Sequence, residues 1–321
     1  MKTKILVGLL SDGGIHSGES LAHQLGVSRT AVWKQIRRAI DQGVRIETIR
    51  GKGYRLAESV DLLDGRAILA GLAERGGDRL SLSVFDSIDS TNAAVMRAEQ
   101  RPGIVPICIA DSQSAGRGRR GRAWQSPAGQ NLYLSLGLEF GGGFSALDGL
   151  SLVFGVALAE ALEHLGLADV QLKWPNDVFL DGRKLAGILV ELQGELEEGR
   201  IQVVAGIGLN VHMAEAPEVD QAWTSLAKEA PERSWSRNEV AAAVIASVLA
   251  ACEEFSSRGF SAFRERWQRR DLFFGRSLSS SQGQLAGLGR GLDADGSYLI
   301  ELADGAVTAV RAGEISLRAA S

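Results

Sequence analysis

Hydrophobic residues near the start of the chain recur at helical spacing. Val32, Ile36 and Ile40 stand at i, i+4 and i+8, which predicts the buried stripe of a helix that Ser28 caps. A shorter helix, which Ser17 can cap, precedes it, and Gly26 lies just past its end, where a left-handed residue commonly closes a helix. Two short helices joined by a tight turn predict a helix-turn-helix, with the second helix suited to a DNA major groove.

The pattern after these helices predicts a wing. Residues 44–49 alternate like a strand, residues 50–53 form a basic turn, and residues 54–56 return. A wing tip of this kind can touch backbone phosphates. The candidate DNA-binding residues are Ser28, Arg29, Thr30, Trp33, Lys34, Arg37 and Lys52. A winged helix used only for protein contacts is the alternative.

The middle of the chain alternates strands and helices and then becomes a run of hairpins. The candidate strands and one long apolar helix occupy residues 80–85, 104–110, 131–136 and about 146–165. Asp181 and Gly182 between apolar runs indicate a type I′ hairpin, and residues 197–199 form a second turn. Successive hairpins favour an antiparallel or mixed sheet over a doubly wound parallel one.

The last third begins with helices and ends in β-structure. Ser236 and Glu239 form a capping box before an apolar helix, and residues 264–270 are interpreted as a charged, solvated helix face. From about Leu272, short alternating strands with Asp-Gly turns predict a small closed β-barrel.

We therefore expect an α+β protein of three domains, which its 321 residues allow. These are a winged helix-turn-helix at residues 1–60, a central domain with a mixed or antiparallel sheet at 61–271, and a small β-barrel at 272–321. The apolar runs at 5–10 and 150–161 are too short for a signal peptide and a membrane span.

Charge is divided unevenly between the predicted domains. Residues 1–60 carry ten Lys and Arg against five Asp and Glu, whereas the whole chain has a formal net charge of −4. A basic head on an acidic body indicates that only the head binds nucleic acid. Cys108 and Cys252 lie in apolar surroundings, which indicates reduced core thiols and a cytoplasmic location.

The most informative stretch is residues 116–122, the arginine loop, which combines three glycines with four arginines. Glycines let backbone N–H groups converge on an anion, and guanidinium groups match phosphate oxygens in pairs. Gly116, Gly118 and Gly121 match the dinucleotide fingerprint, but a strand pattern follows instead of the helix that fingerprint needs. The Walker A lysine and the kinase motifs are also missing from the sequence. A loop that binds a polyanion is the prediction, and a flexible basic surface loop is the alternative.

Three other places are candidates for ligand contact. Lys184 lies near the start of a strand with buried neighbours, so it needs an anionic partner or an exit to solvent. Gly206 and Gly208 interrupt a strand, which indicates close approach of a ligand or another backbone. Ser90 and Asn92 are interpreted, from the residues alone, as caps of the following helix.

Three motifs, in this order, carry a resemblance to a known family. They are residues 116–124, the Lys-Trp-Pro-Asn-Asp of 173–177 and the Lys-Leu-Ala-Gly-Ile-Leu of 184–189. Together they resemble the signature of the biotin protein ligases. The winged head and residues 313–318 resemble the bifunctional branch, the biotin operon repressors. The resemblance covers essentially the whole chain and implies a class II synthetase-like ligase fold followed by an SH3-like barrel.

The resemblance implies site residues, which revises the capping interpretation of Ser90 and Asn92. It implies biotin contacts from Ser90, Thr91, Asn92, Gln113, Arg117, Gly118, Arg119, Lys184 and Gly206. It implies ATP or adenylate contacts from Arg117, Arg119, Arg122, Trp124, Asn176, Lys184 and Asn210. Catalytic roles fall to Lys184, Arg119 and Asp177, the last as an aid in deprotonating the acceptor lysine. No metal site made of protein side chains is implied.

The implied activity is a two-step ligation. Biotin and ATP, with Mg²⁺ as its counter-ion, give biotinyl-5′-adenylate, and biotin then passes to a lysine of the biotin carboxyl carrier domain of acetyl-CoA carboxylase. Biotin also acts as a corepressor, through a ligand-promoted homodimer that binds operator DNA, and no membrane partner is expected. The alternatives are a ligase-inactive biotin-sensing repressor and a lipoate or octanoate ligase of the same fold.

Overall fold

The computed structural model describes residues 2–41, 44–57, 61–73, 79–99, 101–143, 147–197, 199–280, 285–312 and 317–319. The helices are α1 (Lys2–Leu10), α2 (Gly18–Leu25), α3 (Arg29–Asp41), α4 (Gly65–Ala70), α5 (Thr91–Arg97), α6 (Leu150–His164), α7 (Leu226–Glu229), α8 (Arg237–Arg258) and α9 (Ser261–Gln268). The strands are β1 (Ile46–Ile49), β2 (Gly53–Leu56), β3 (Leu80–Phe85), β4 (Val105–Ala110), β5 (Leu132–Gly141), β6 (Gln171–Lys173), β7 (Asp177–Leu180), β8 (Arg183–Glu197), β9 (Arg200–Leu209), β10 (Ser277–Ser280), β11 (Ala286–Leu292), β12 (Tyr298–Glu301), β13 (Val307–Val310) and β14 (Leu317–Ala319).

The head consists of α1 to α3 and the β1–β2 hairpin, which confirms the predicted helix-turn-helix and wing. The side chain of Ser17 caps α2 by accepting a hydrogen bond from the Ser20 N–H, and Gly26 ends the helix in the left-handed region at φ 62°. The Ser28 hydroxyl accepts a hydrogen bond from the Ala31 N–H at 3.2 Å. Local caps therefore fix where the two helices begin and end, as the sequence indicated.

The prediction that Ile40 is buried is wrong. Ala39 is fully buried and Ile40 is 39% exposed. At 3.6 residues per turn, position 39 lies about 20° from Val32 around α3, whereas position 40 lies about 80° away. A set of positions chosen only at intervals of four residues therefore moves away from the buried face of the helix.

The first helix, α1, was not predicted, because its apolar run was considered only as a signal segment. Leu6, Val7 and Leu10 are buried in the core of the head, together with Leu21 and Val32. The head thus completes its core with a helix that precedes the helix-turn-helix.

The central domain is built on a seven-stranded sheet in the order β3-β4-β5-β9-β8-β7-β6. Among the described residues of this sheet, only β3 and β4 pair in parallel, so the sheet is mixed, as predicted. The β7–β8 turn has positive φ at Asp181 (47°) and Gly182 (70°), as a type I′ turn requires. Helices α6 and α8 pack against each other, and each contacts the sheet.

Helix α8 is long and apolar enough to span a membrane by length and composition, and no other helix among the described ranges passes that test. Half of its most apolar window is buried inside the fold. Val244, Ile245 and Val248 belong to the same hydrophobic core as α6 and the sheet. This burial accounts for the apolar composition of α8 as that of a core helix.

Head and central domain meet at residues 61–64, which we call the joint. Leu62 packs against the core of the head, whereas Leu63 is buried in the core of the central domain. The start of α8 holds this backbone: Arg237 Nε donates to the Asp61 carbonyl at 3.1 Å, and Asn238 Nδ2 donates to the Leu62 carbonyl at 2.8 Å. The orientation of the head therefore depends on residues of α8.

The C-terminal strands form one antiparallel sheet in the order β13-β12-β11-β10-β14. Within the described residues this ladder is open, since β13 and β14 lie at its two edges without pairing to each other. Closure into a barrel therefore stays a prediction. Residues 313–316, most of the C-terminal motif, lie outside the described residues.

The prediction that residues 264–270 form a merely solvated face is wrong for three of its arginines. Arg264 Nε donates to the Leu292 carbonyl at 2.9 Å. Arg266 contacts Glu160 of α6 at 2.6 Å and Glu254 of α8 at 2.7 Å, and Arg270 contacts Glu163 at 2.5 Å. The two partners on α6, Glu160 and Glu163, lie about a hundred residues earlier in the chain than Arg266 and Arg270. The charge pattern of residues 264–270 alone therefore does not reveal them. These ion pairs fasten α9 to the two core helices.

A buried carboxylate joins the C-terminal sheet to β6. Asp271 accepts hydrogen bonds from the Tyr298 hydroxyl and the Phe273 N–H, each at 2.8 Å, and the adjoining Leu272 N–H donates to the Leu172 carbonyl at 2.9 Å. Burial raises the pKa of Asp271 from 3.8 to about 6, against the opposing effect of these hydrogen bonds.

We expect this carboxylate to make stability depend on pH. Because its folded pKa is raised, its contribution is fully present below about pH 3.8 and is lost as pH rises through about 6. From pH 4 to 7, wild type should lose up to about 3 kcal/mol of unfolding free energy relative to Asp271→Asn, which stays neutral. Urea unfolding of both proteins at several pH values measures this difference, and parallel curves would contradict the assignment.

Candidate active site

One face of the central sheet carries a cavity of about 1000 Å³. Every predicted ligase residue lines it: Ser90, Thr91, Asn92, Gln113, Arg117, Gly118, Arg119, Arg122, Trp124, Asn176, Asp177, Lys184, Gly206 and Asn210. They come from α5 and the residue before it, from residues 113–124, and from β7, β8 and β9 with the residues next to these strands. The fold thus brings together residues more than a hundred positions apart.

The floor of the cavity near α5 is made of buried, uncharged polar groups. The Thr91 N–H and hydroxyl both point to Gln113 Oε1, at 2.9 and 3.2 Å. Ser135 Oγ lies 2.8 Å from Thr91 Oγ1 and 2.5 Å from Asn92 Oδ1. Ser90 does cap α5, accepting from the Ala93 N–H, in addition to lining the cavity. Such a cluster of amides and hydroxyls suits a neutral ligand group with its own donors and acceptors.

Asn92 is no cap, and so the interpretation from the residues alone is wrong for it. Its side chain is turned to the sheet, where Nδ2 donates to Glu191 Oε2 at 2.7 Å. Glu191 also contacts Arg117 Nη2 at 3.2 Å. One carboxylate on β8 thus connects the neutral floor with the arginine loop.

The glycines of β9 give room to side chains. A Cβ on Gly206 would lie 2.2 Å from Asn92 Oδ1, and a Cβ on Gly208 would lie 2.5 Å from Trp124 Cε2. The close approach that the sequence indicated is therefore real, but the neighbours are side chains and not a second backbone. Trp124 Nε1 is buried without a hydrogen-bond partner among the residues the structure describes.

The arginine loop is an ordered turn. The Gly118 N–H donates to the Arg122 carbonyl at 2.7 Å, the Trp124 N–H donates to the Gly116 carbonyl at 2.9 Å, and a single 3-10 turn spans Arg119–Gly121. Trp124 packs the loop onto β9. These contacts argue against the alternative of an unanchored surface loop.

Arg119 is a half-buried cation of this loop. Its Nη1 donates to Asn176 Oδ1 at 3.2 Å. Burial, with the neighbouring charge of Arg120, lowers its pKa, while Asp177 opposes that shift. The Asn176 side chain is itself fixed, because Nδ2 donates to the Ile188 carbonyl at 2.7 Å. A guanidinium held in a site poor in water interacts strongly with an anion.

Lys184 has the anionic partner that the sequence demanded. Its Nζ lies 2.8 Å from Asp177 Oδ1, and its side chain is 14% exposed, which rules out an exit to solvent. Nζ also lies 5.3 Å from the centroid of the Trp124 ring. A register shift between Val178 and Phe179 leaves one extra residue on β8 at this point. A bulge of this kind re-aims a side chain, here toward the cavity.

Several residues of the cavity were missed by sequence reasoning. Glu218, Asp220, Trp223 and Arg276 line it, whereas Ser135 and Glu191 lie outside the lining and hydrogen-bond Asn92. Ser135 and Glu191 interrupt apolar strands, and that interruption was the available signal. The others carried none, because only the chain fold brings the 218–223 loop and the C-terminal segment to the cavity.

The candidate DNA-binding residues lie in α3, directly before it and in the β1–β2 turn of the head, and none of them lines the cavity. Ser28, Arg29, Thr30, Trp33, Lys34, Arg37 and Lys52 are all exposed. Arg37 Cζ lies 5.4 Å from the Trp33 ring centroid, so these two side chains stack at the surface. The face is basic and open, as a DNA-binding helix requires.

The cavity combines two chemistries side by side. One end offers neutral hydrogen-bonding groups, and the other offers the cations Arg117, Arg119 and Lys184. It suits a ligand that is neutral and polar at one end and anionic at the other, next to phosphate groups. In the described ranges, no group of three or more His, Cys, Asp and Glu side chains is arranged to hold a metal ion.

Comparison with known proteins agrees with this geometry. Residues 84–210 match the biotin/lipoate A/B protein ligase family, and residues 2–55 match an HTH domain. The chain is 42% identical to the bifunctional ligase/repressor BirA of Escherichia coli K12, over 98% of this chain and 97% of that protein. It is 31% identical to BirA of Bacillus subtilis 168, over 94% of each chain.

A solved structure shows the same architecture. The biotin protein ligase from Aquifex aeolicus in complex with biotin and ATP aligns with a TM-score of 0.65 at 31% identity. The alignment covers 75% of this chain and 99% of that one. The head and the central domain each match a family model, and the relatives align with nearly the full length of the chain. The chain therefore belongs to the family of bifunctional biotin ligase/repressors.

Proposed function

We propose that this chain is an ATP-dependent biotin–protein ligase that also represses transcription in response to biotin. It makes biotinyl-5′-adenylate from biotin and ATP and transfers biotin to a lysine of the biotin carboxyl carrier domain of acetyl-CoA carboxylase. The observation that carries the proposal is the pairing, in one cavity, of a neutral polar floor with the partly buried cations Lys184 and Arg119.

The floor is assigned to biotin. Its ureido ring has N–H donors and a carbonyl acceptor, which the groups of Ser90, Thr91, Asn92 and Gln113 complement. Gly206 leaves the space that Asn92 occupies beside the ring. The valerate chain then directs its carboxylate to Lys184, Arg117 and Gly118.

The cations are assigned to the first reaction step. A biotin carboxylate oxygen attacks the α-phosphorus of ATP, the bond to the β-phosphate oxygen breaks, and pyrophosphate leaves with Mg²⁺. The Mg²⁺ enters as counter-ion of the nucleotide's phosphates. Lys184 and Arg119 neutralise the charge on the phosphoryl oxygens, with Asn176 holding Arg119 in place. Further nucleotide contacts are assigned to Arg122, Trp124 and Asn210.

In the second step an amine nitrogen of the carrier lysine attacks the carbonyl carbon of the mixed anhydride. The carbon–oxygen bond to AMP breaks, AMP leaves, and the amine loses its proton as the amide forms. Asp177 pairs with Lys184 at 2.8 Å, so a phosphate that draws Lys184 away frees this carboxylate to accept that proton. Closure of the arginine loop over the site keeps water from the adenylate.

A single assay tests the proposal against its alternatives. The purified chain, ATP, biotin and a carrier domain should give a biotinylated lysine, seen as a mass increase of the carrier. A biotin-sensing repressor without ligase activity leaves the carrier unmodified. A lipoate or octanoate ligase attaches lipoate in preference when both acids compete.

Replacing Arg119 by glycine should release the adenylate to solvent. The variant loses the bond to Asn176 and a charge next to the phosphate, and a hydrogen bond to a charged group contributes about 1.5–3 kcal/mol. Release of biotinyl-adenylate from a preformed complex should therefore be about tenfold faster or more. A rapid-dilution release assay measures it, and retention equal to that of wild type would contradict this role.

The repressor function is assigned to the head, residues 1–60, ahead of a catalytic domain at 61–271 and an SH3-like barrel at 272–321. Ser28, Arg29, Thr30, Trp33, Lys34, Arg37 and Lys52 form the DNA-contacting face, and a ligand-promoted homodimer pairs two heads on a palindrome. The reaction belongs in the cytoplasm, in keeping with the free thiols of Cys108 and Cys252, whose pKa values burial raises to about 12.

Replacing Lys34 by alanine should weaken DNA binding without touching ligation. One phosphate contact fewer lowers affinity for all sequences alike and reduces the slope of log affinity against log salt by about 1. Fluorescence anisotropy with a labelled duplex of mixed sequence, over a range of salt concentrations, measures both effects. A wild-type chain that binds no duplex at low salt would favour a head that contacts only proteins.

A further inference from the structure

The backbone of Lys184 is held on both sides by a segment that follows the cavity loop. Its N–H donates to the Ala222 carbonyl at 3.0 Å, and its carbonyl accepts from the Thr224 N–H at 2.9 Å. This parallel bridge sets Trp223, which lines the cavity, beside Lys184. The position of the Lys184 ammonium therefore depends on how firmly residues 222–224 are anchored.

A carboxylate outside the cavity lining anchors both partners of this bridge. Glu229, at the end of α7, accepts a hydrogen bond from the Thr224 hydroxyl and lies 3.0 Å from Arg183 Nη2. Thr224 is fully buried, and the Glu229 side chain is only 12% exposed. Arg183 is the residue directly before Lys184. Glu229 thus connects the segment that contains Thr224 with the segment that contains Arg183, which are the two segments that the bridge joins.

The same anchor reaches a second residue of the cavity. Asn210 Nδ2 donates to the Thr224 carbonyl at 2.9 Å, and the Asn210 carbonyl accepts from the Leu226 N–H at 3.1 Å. The Asn210 N–H in turn donates to the Leu185 carbonyl at 3.0 Å. One short segment, residues 222–229, therefore holds three residues of the cavity: it contains Trp223 and hydrogen-bonds Lys184 and Asn210. Glu229 lies at the end of this segment, in α7.

We propose that Glu229 is a positioning residue for adenylate formation, acting through Thr224 and Arg183 on Lys184. The inference rests on the proposed function and goes beyond it, because Glu229 touches neither substrate in that scheme. Loss of its carboxylate leaves a buried hydroxyl and a guanidinium without their shared partner. The Lys184 ammonium then moves relative to the reacting phosphate, and a misplacement of about 1 Å costs about a hundredfold in rate.

The test compares Glu229→Ala, Glu229→Gln and Thr224→Val with wild type, using Glu232→Ala as the control for loss of an exposed carboxylate nearby. Adenylate formation is measured by pyrophosphate release, alongside the KM for biotin and the melting temperature. Glu229→Ala should lower kcat about ten- to a hundredfold and change the KM for biotin less than threefold, since the biotin floor is untouched. Glu229→Gln should restore most of the rate, because its amide oxygen still accepts from Thr224.

Each possible result either supports or overturns the role proposed for Glu229. A folded Glu229→Ala variant with kcat within twofold of wild type overturns the proposal, as does a loss confined to the melting temperature. If Glu229→Ala does not fold, Thr224→Val serves alone: a kcat at least fivefold lower supports the proposal and an unchanged one overturns it. Wild type that makes no adenylate overturns the proposed function, whereas active wild type with unchanged variants overturns only the role of Glu229.

Discussion

Replacement of Lys184 by methionine should reduce biotinyl-adenylate formation about a thousandfold while leaving the protein folded. The Lys184 side chain is only 14% exposed, and its ammonium pairs with Asp177, another residue of the cavity. Its charge gains most when negative charge develops on the phosphoryl oxygens, so its loss falls on kcat more than on ground-state binding. Methionine keeps the length and the packing against Trp124.

The measurement is pyrophosphate release under saturating biotin and ATP, with Arg258→Met as matched control. Arg258 is an exposed cation at the end of α8, far from the reaction in the fold, so its replacement should leave the rate unchanged. Lys184→Arg should recover little, because a planar fork does not reproduce the position of a compact ammonium. A Lys184→Met rate within tenfold of wild type would contradict the assignment of catalytic charge to this residue.

Replacement of Arg237 by methionine should destabilise the protein by about 3–5 kcal/mol, the cost of removing one partner from a buried charge cluster. The Arg237 side chain is fully buried, and its Nη1 donates to Asp111 Oδ1 at 2.8 Å and to the Asn131 carbonyl at 3.2 Å. It also donates to the Asp61 carbonyl. Methionine fills similar space but leaves the buried Asn131 carbonyl, the Asp61 carbonyl and the partly exposed Asp111 carboxylate without this donor.

Chemical denaturation followed by circular dichroism gives the free energy of unfolding for this variant. Arg258→Met again serves as control and should change it by less than about 0.5 kcal/mol, as exposed substitutions do. Arg237 hydrogen-bonds the joint at the Asp61 carbonyl. In the Arg237→Met variant, the residues around Leu62 should therefore also lose protection from amide hydrogen exchange. A loss of stability below about 1 kcal/mol would show that water or neighbouring groups replace the guanidinium.

Local chemistry made much of the fold predictable. Ser17 and Gly26 define a helix because caps act within one turn, and Asp181 with Gly182 forms a hairpin turn because few residues tolerate positive φ. Lys184 was predicted to need either an anion or an exit to solvent, because an unpaired buried ammonium is costly. Each of these inferences depends only on the properties of a few residues that are close in the sequence.

The errors concern forces between distant residues. Asn92 looks like a cap in the sequence, yet Glu191 lies close enough to bind it only after β8 is paired in the sheet. Arg266 looks solvated until α6 and α8 bring their carboxylates to it. The arginine loop was recognised from its composition, but its anchoring on Trp124 depends on Gly208 of a strand formed much later in the chain. Pairings of this kind follow from topology, which one sequence specifies only indirectly.

The most direct measurement is calorimetric titration of biotin into the full-length chain, alone and with a non-hydrolysable ATP analogue present. We expect saturable one-to-one binding in both titrations, because the neutral floor assigned to biotin is already formed without the nucleotide. The absence of any binding heat for biotin in both titrations, over a range of temperatures, would contradict the assignment of the cavity.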